Sequence, residues 1–334
     1  MAIEFDLQLL PRLYWFKNQT VRLCIQFITD VIRGSHLSRV RQLQSRLKDI
    51  EVDLHDLFCR WNFISLVKKE FSLDTFLPRG DFIIMKDLEY YLSRFGIKMA
   101  DSFVEFPHSD FEKIRENLQE LSIPRQLGLS ATQRTRLESV YKGDDFETDS
   151  KKLLARYQYL GGLNNSLSVP PRILDLFSSH ELFGTPLNTH TRFCSPFQDE
   201  AVFSSHGSFF DFDKYEEDVV YFANPPFDDA FCSLVADRLL TKLREKPFHL
   251  IVIIPVWDSQ EQRKHGLKDF GLPFDCYRRL VESEFFLEDV FLEKEKYPFF
   301  NYFSQRQVYI SNVHLINLGR KVDTQKIVEV WSQK

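Results

Sequence analysis

The first half of the chain repeats apolar residues with a helical period. Between positions 37 and 58, Leu37, Val40, Leu43, Leu47, Ile50, Leu54 and Leu57 recur every three or four residues. That spacing lays them along one face of an amphipathic helix. The stretch "DFEKIRENLQELS" repeats the pattern, with Asp110 as N-cap and Phe111, Ile114, Leu118 and Leu121 on one side. Between these helices "SLDTFLPRGDFIIM" reads as a turn-rich link. The polar segment "SIPRQLGLSATQRTRLESVYKGDDFETDSKK" reads as a connector with a short helix from Thr132 to Tyr141. A boundary is expected near residue 150, giving a mostly α-helical domain 1–150, a second domain 151–320 and a tail 321–334.

After Lys151 the pattern changes. "VPPRILDLFSSH" predicts a short helix opened by proline. "ELFGTPLN" predicts a strand running into a loop, and "SFFDF" and "DVVYFAN" predict further strands. "FDDAFCSLVADRLLTKLRE" predicts a helix with Phe231, Leu234, Val235, Leu239 and Leu243 on one face. "FHLIVIIPVW" is a continuous apolar run, as in a strand covered on both sides of a parallel sheet. "RQVYISNVHLINLG" predicts a closing strand pair. Strands alternating with helices imply an α/β domain with a mostly parallel sheet.

Composition narrows the function. The charged fraction is 27% and the formal net charge is −5, so a nucleic-acid partner would need a local basic surface. Thirty-three phenylalanines fill the core and leave a minority to stack on a flat ligand. The cysteines at 24, 59, 194, 232 and 276 are scattered and odd in number, which predicts reduced, intracellular thiols. No HExxH or CxxC spacing occurs, so no metal site is expected. The acidic N-terminus, with Glu4 and Asp6, does not read as a secretory leader. No apolar run reaches membrane-spanning length.

The candidate chemistry sits in "VVYFANPPFDDAF". A β-type run stops at Asn224, and Pro225 and Pro226 can continue neither a ladder nor a helix. A plain strand-to-turn would explain the stop but not the amide before the prolines or the aromatic after them. Ligands of open α/β sheets bind at the carboxyl ends of strands. There, the Asn224 oxygen and a proline carbonyl can each accept a hydrogen bond from an exocyclic amine, while Phe227 stacks on the base. The adenine amine is a weak nucleophile, because its lone pair is delocalised into the ring. Two fixed acceptors favour a pyramidal nitrogen and free that lone pair for attack on a sulfonium methyl.

These pieces, taken in order, resemble the phosphorylated-CTD-interacting-factor family, the cap-specific adenosine N6-methyltransferases. "RYQYLGGLNNSLSVPPRILDLF", "ELFGTPLN", "FSSHGSFFDF", "ANPPF" and "LIVIIPVW" carry the resemblance from about Ala155 to Leu318. It implies a Rossmann-like class I methyltransferase sheet, S-adenosylmethionine as donor and capped RNA as partner, with a nuclear or cytoplasmic location. It implies that Asn224, Pro225, Pro226 and Phe227 hold the adenine amine. Asn224, Pro225 and Phe227, with Thr185, Pro186 and Asn188, then border the donor. Asp229 stands where the family has an acidic residue near the substrate. Trp257 matches the tryptophan beside the cap, where it would face a cationic methylated guanine; half-buried packing would also account for it.

The sequence also departs from that pattern. No GxGxG loop follows the first strand, so donor binding cannot be read from a glycine fingerprint. The WW module of animal members is not recognisable, since Trp15 and Trp61 lie too far apart in helix-like sequence; polymerase-tail binding is therefore not expected. Arg33, Arg39, Arg41, Arg46 and Lys48 crowd one segment, and Arg39 and Arg41 are candidate phosphate contacts. A solvated helix face is the plainer explanation of that segment. Two other functions stay open: adenine N6-methylation of DNA or uncapped RNA, and a catalytically silent RNA-binding subunit.

Overall fold

A computed structural model describes residues 128–160, 167–189, 191–227, 229–265, 274–302 and 306–333. The expectations for the first 127 residues, including the helical stripes and the cationic segment, lie outside them. Leu129–Leu153 and Asn164–Lys334 belong to one compact unit. Within the expected connector, helix α1 (Ala131–Val140) forms behind a capping box: Ser130 Oγ accepts the Gln133 N–H and the Gln133 side chain accepts the Ser130 N–H. Helix α2 (Phe146–Leu160) follows, so the connector is more helical than its polarity suggests.

Strand β1 (Leu167–Ser168) leads to helix α3 (Pro171–Leu174), which opens on proline as expected. Then come β2 (Ser179–Glu181), β3 (Arg192–Phe193), β4 (Val220–Ala223), helix α4 (Asp229–Glu245) and β5 (His249–Pro255). Helices α5 (Ser259–Lys264) and α6 (Asp275–Val281) precede β6 (Phe286–Leu292), β7 (Phe299–Asn301), β8 (Arg306–Val308) and β9 (Val313–Gly319). Helix α7 (Thr324–Ser332) is last.

The main sheet has six strands in the order β3-β2-β4-β5-β9-β6. Pairs β2–β3, β2–β4 and β4–β5 are parallel, and β9 runs antiparallel between β5 and β6. The mixed α/β class with a mostly parallel sheet is thus as the sequence predicts. Residues 250–255 of β5 are all buried, as its unbroken apolar run requires. One face of the sheet offers Val220, Phe222, Ile251, Ile253, Val313 and Leu315 to α3, α7 and the β1–β7 region. Alternate strand residues point to the other face, where α6 packs on β6, β9 and α4.

Four readings need correction. "SFFDF" is a 3-10 turn at Phe209–Asp211: Ser208 Oγ accepts the Phe210 N–H, and Phe209 and Phe212, three apart, are the buried pair. β8 and β9 do not pair with each other. β8 joins β7 in a small β1-β7-β8 sheet, whereas β9 enters the main sheet. On α4, Phe231, Val235, Leu239 and Leu243 are buried but Leu234 is 40% exposed. The expected tail 321–334 carries α7, capped by Asp323, whose side chain accepts the Lys326 N–H. Ile327 and Trp331 are fully buried, and Trp331 Nε1 donates to the Pro298 carbonyl at 2.7 Å. Among the described residues no helix is long and apolar enough to cross a membrane.

Replacing Trp331 with alanine is therefore expected to destabilise the fold by about 3–5 kcal/mol, the cost of emptying a large aromatic site. A lowered urea midpoint with an unchanged slope would show it; a midpoint like the wild type's would return this segment to a loosely attached tail.

Candidate active site

Chain order places the site. From β2 the chain moves to β3 on one side, then crosses back to β4 on the other. Ligands of open α/β sheets bind at such a switch point, outside the carboxyl ends of the strands. Here those ends are Glu181 with the loop to Thr189, Ala223 with Asn224–Phe227, and Pro255 with Val256 to Asp258. β2–β4 and β4–β5 pair in parallel, so all three ends share one edge.

Asn224 is aimed by a neighbouring backbone. Its Nδ2 lies 3.5 Å from the Leu167 carbonyl of β1. A carbonyl can only accept, so the nitrogen faces it and Oδ1 points elsewhere. That oxygen is buried and has no partner among the described residues. An acceptor left this way costs about 1–3 kcal/mol, which a donor from a ligand would offset. Pro225 is buried. The Pro226 carbonyl accepts from Cys232 Sγ at 3.6 Å.

The aromatic residues converge on the motif. The Phe227 ring lies 6.3 Å from Trp257 and 6.3 Å from Phe299, near perpendicular to both. Trp257, half-buried, also meets Phe274 at 5.2 Å. The structure thus brings Trp257 to the Asn-Pro-Pro-Phe turn, one strand over. Asp229 is the first residue of α4 and is exposed.

The loop after β2 is a self-locking turn. The Thr185 hydroxyl accepts the N–H groups of Leu187 (3.2 Å) and Asn188 (3.1 Å), and Asn188 Oδ1 accepts the Thr185 N–H at 2.7 Å. These side-chain groups shape the loop from within. Gly184 lets it close on β3: a Cβ there would meet the Phe193 Cβ at 2.8 Å. Arg136 of α1 donates to the carbonyls of Pro186 and Thr189, fastening the loop from outside.

Two residues of the edge went unnoticed in the sequence. Glu181, the last residue of β2, is buried, and its Oε2 has no partner among the described residues. Burial raises its carboxyl from 4.5 to about 7, against the Thr189 hydrogen bond and the charge of Arg136. Arg136 itself is lowered by burial. The signal available was an acidic residue closing the strand "SSHELF"; Arg136 gave none, being one cation of a polar helix. His180, buried beside Cys194 Sγ (3.5 Å), is pushed down to about 3 by burial and by His206 and Arg192, and so is a neutral core residue. Arg39 and Arg41 lie outside the described residues.

The family model described as the phosphorylated CTD interacting factor 1 WW domain matches residues 133–301, half of the chain. The matched stretch contains Arg136, Glu181, the Thr185–Asn188 turn, Asn224–Phe227 and Trp257. No curated protein matches the chain.

Glu181 sets a pH dependence with a definite sign. Its folded-state pKa lies above its unfolded value, so the native state holds the proton longer. Stability contributed at this position is greatest below about pH 4.5 and falls as pH rises towards 7. Glu181→Gln is expected to flatten that fall in a series of denaturation curves from pH 4.5 to 7.5, and an unchanged slope would remove Glu181 as its source.

Proposed function

The chain belongs to the phosphorylated CTD interacting factor 1 family, and we propose that it transfers a methyl group from S-adenosylmethionine to N6 of the first transcribed adenosine of capped RNA. The observation that carries this reading is Asn224 Oδ1: a buried acceptor, turned away from the Leu167 carbonyl, at the carboxyl end of β4.

Asn224 Oδ1 accepts one hydrogen of the adenine amine. A proline carbonyl of the turn supplies the second acceptor, and the Cys232 contact to the Pro226 carbonyl favours Pro225 for it. Both are fixed before substrate arrives, so little ordering is lost on binding. Phe227 stacks on the base. Trp257, next to Phe227, offers its ring to the positively charged guanine of the cap.

The residues at the switch point fit the donor. Glu181 Oε2 is a buried acceptor without a partner among the described residues, and the donor carries an ammonium and ribose hydroxyls to pair with it. Glu181 and the Thr185–Asn188 loop would hold it on the β2 side, and Asn224 to Phe227 on the β4 side. When bound, it supplies an electrophilic methyl on a sulfonium. The strand order, with an antiparallel β9 inserted before the edge strand β6, also supports a class I methyltransferase sheet.

The deciding experiment is mass spectrometry of short capped and uncapped adenosine-initiated RNAs after incubation with isotopically labelled donor. N6-methylation confined to capped RNA is expected. Equal labelling of both would leave an adenine methyltransferase without the cap, and no labelling would leave a silent RNA-binding protein.

Asn224→Ala is expected to lower the rate by about 10²–10³-fold, as for loss of one positioned polar contact, while calorimetry still registers donor binding. Near-normal turnover would remove the central claim. Trp257→Ala is expected to lose about tenfold in preference for methylated-cap over uncapped RNA, the loss of one desolvated cation–π contact. A preference that survives would place cap reading elsewhere.

A further inference from the structure

Asp258 follows the cap-facing tryptophan directly and has no role in the reading above. It is 2% exposed. Its Oδ1 accepts the N–H groups of Gln260 (2.9 Å) and Glu261 (3.3 Å), which caps α5. Its Oδ2 accepts the Phe274 N–H at 3.5 Å and two nitrogens of Arg278, at 3.2 and 3.1 Å. Burial alone would raise this carboxyl, but the three backbone N–H groups and Arg278 hold it below the usual aspartate value. It is an ionised group with both oxygens committed within the protein, so it is not free to accept from the edge of a guanine.

What those bonds hold is the wall behind Trp257. Phe274, which touches the Trp257 ring, is the residue before α6 and lacks a side-chain cap of its own. Asp258 holds that residue's own backbone N–H from the β5 side and pairs with Arg278 one turn into the helix. Helix α6 is held at two further points: the Tyr277 hydroxyl donates to Asp289 of β6 at 2.9 Å, and Arg279 to Asp237 of α4 at 2.6 Å. Three carboxylates thus contact one short helix, and of these the Asp237 pair is exposed. The Asp258 clamp is the one adjoining Trp257, in sequence and through Phe274.

We infer that Asp258, through Phe274 and Arg278, is a positioning residue that pre-orders the Trp257 ring for the flat cation of the cap. The inference rests on the cap reading of Trp257. A pre-ordered ring binds more tightly because less side-chain freedom is lost on contact. Asp258→Asn keeps the shape but removes the charge, and its amide would turn a donor towards groups that are themselves donors.

The test measures affinity of the full chain for N7-methylguanosine triphosphate and, separately, for S-adenosylhomocysteine. Asp258→Asn is expected to weaken the cap analogue about tenfold, the scale of a lost pre-ordered contact, with homocysteine-product affinity held within about twofold. The Michaelis constant for capped RNA should rise while turnover at saturation stays. Arg278→Gln should shift cap affinity in the same direction, and it decides the matter if Asp258→Asn does not fold. Arg279→Gln, which breaks an exposed pair of small energetic weight, should leave cap affinity unchanged. Unaltered cap binding in Asp258→Asn, or parallel loss of both ligands, overturns the inference. A wild-type chain that does not bind the cap analogue refutes the cap reading itself and is distinguished by that fact.

Discussion

The parallel pairing of β4 with β5 is the constraint on which the rest of the structure depends. Val220 to Ala223 lie in register with His249 to Val252, and all but His249 are buried. Pro255 then ends β5 at the edge where Ala223 gives way to Asn224. That register places Phe227 and Trp257 in edge contact, although thirty positions separate them. A slip by one residue would turn every side chain of β4 to the opposite face, so the hydrophobic core enforces the geometry of the site.

The same edge holds polar groups that a scaffold would not choose. Asn224 Oδ1 and Glu181 Oε2 are buried acceptors at neighbouring strand ends, without partners among the described residues. Asp258, one strand further, is the opposite case, since five donor nitrogens surround its two oxygens. The contrast is energetic: the two unsatisfied acceptors carry an uncompensated desolvation cost, whereas the saturated carboxylate braces its neighbours. Thr185 and Asn188 fall in the second group on their hydrogen bonds, and Arg136 braces the same loop from α1.

Failures of the sequence reading share a cause. "SFFDF" has the residue types of a strand, but Ser208 captures a backbone N–H and closes a local turn. "RQVYISNVHLINLG" contains two strands as expected, but Asn312 sits between them, accepting the Val256 N–H on its carbonyl and the Lys294 N–H on its side chain. The chain is thereby drawn from the small sheet into the large one. The last residues have a short amphipathic pattern whose partner, the β7 region, lies some thirty residues earlier. In each case a contact distant in sequence, or a side-chain bond to backbone, outweighed local propensity.

The sequence by itself determined the α/β alternation, the doubly covered strand β5, the helix after the Asn-Pro-Pro-Phe turn and the short proline-opened helix α3. Apolar period, proline chemistry and capping act over a few residues, so they are legible without a fold. It also singled out Asn224 and Phe227 as chemically unusual, while Trp257 came from the family resemblance. Only the tertiary structure decided that Leu167, from a strand outside the main sheet, turns the Asn224 amide. Only it decided that Glu181 is buried with a raised pKa, and that Asp258 is saturated. Hydrogen-bond partners and burial are properties of non-local packing, and a linear pattern does not encode which backbone carbonyl arrives beside a given amide.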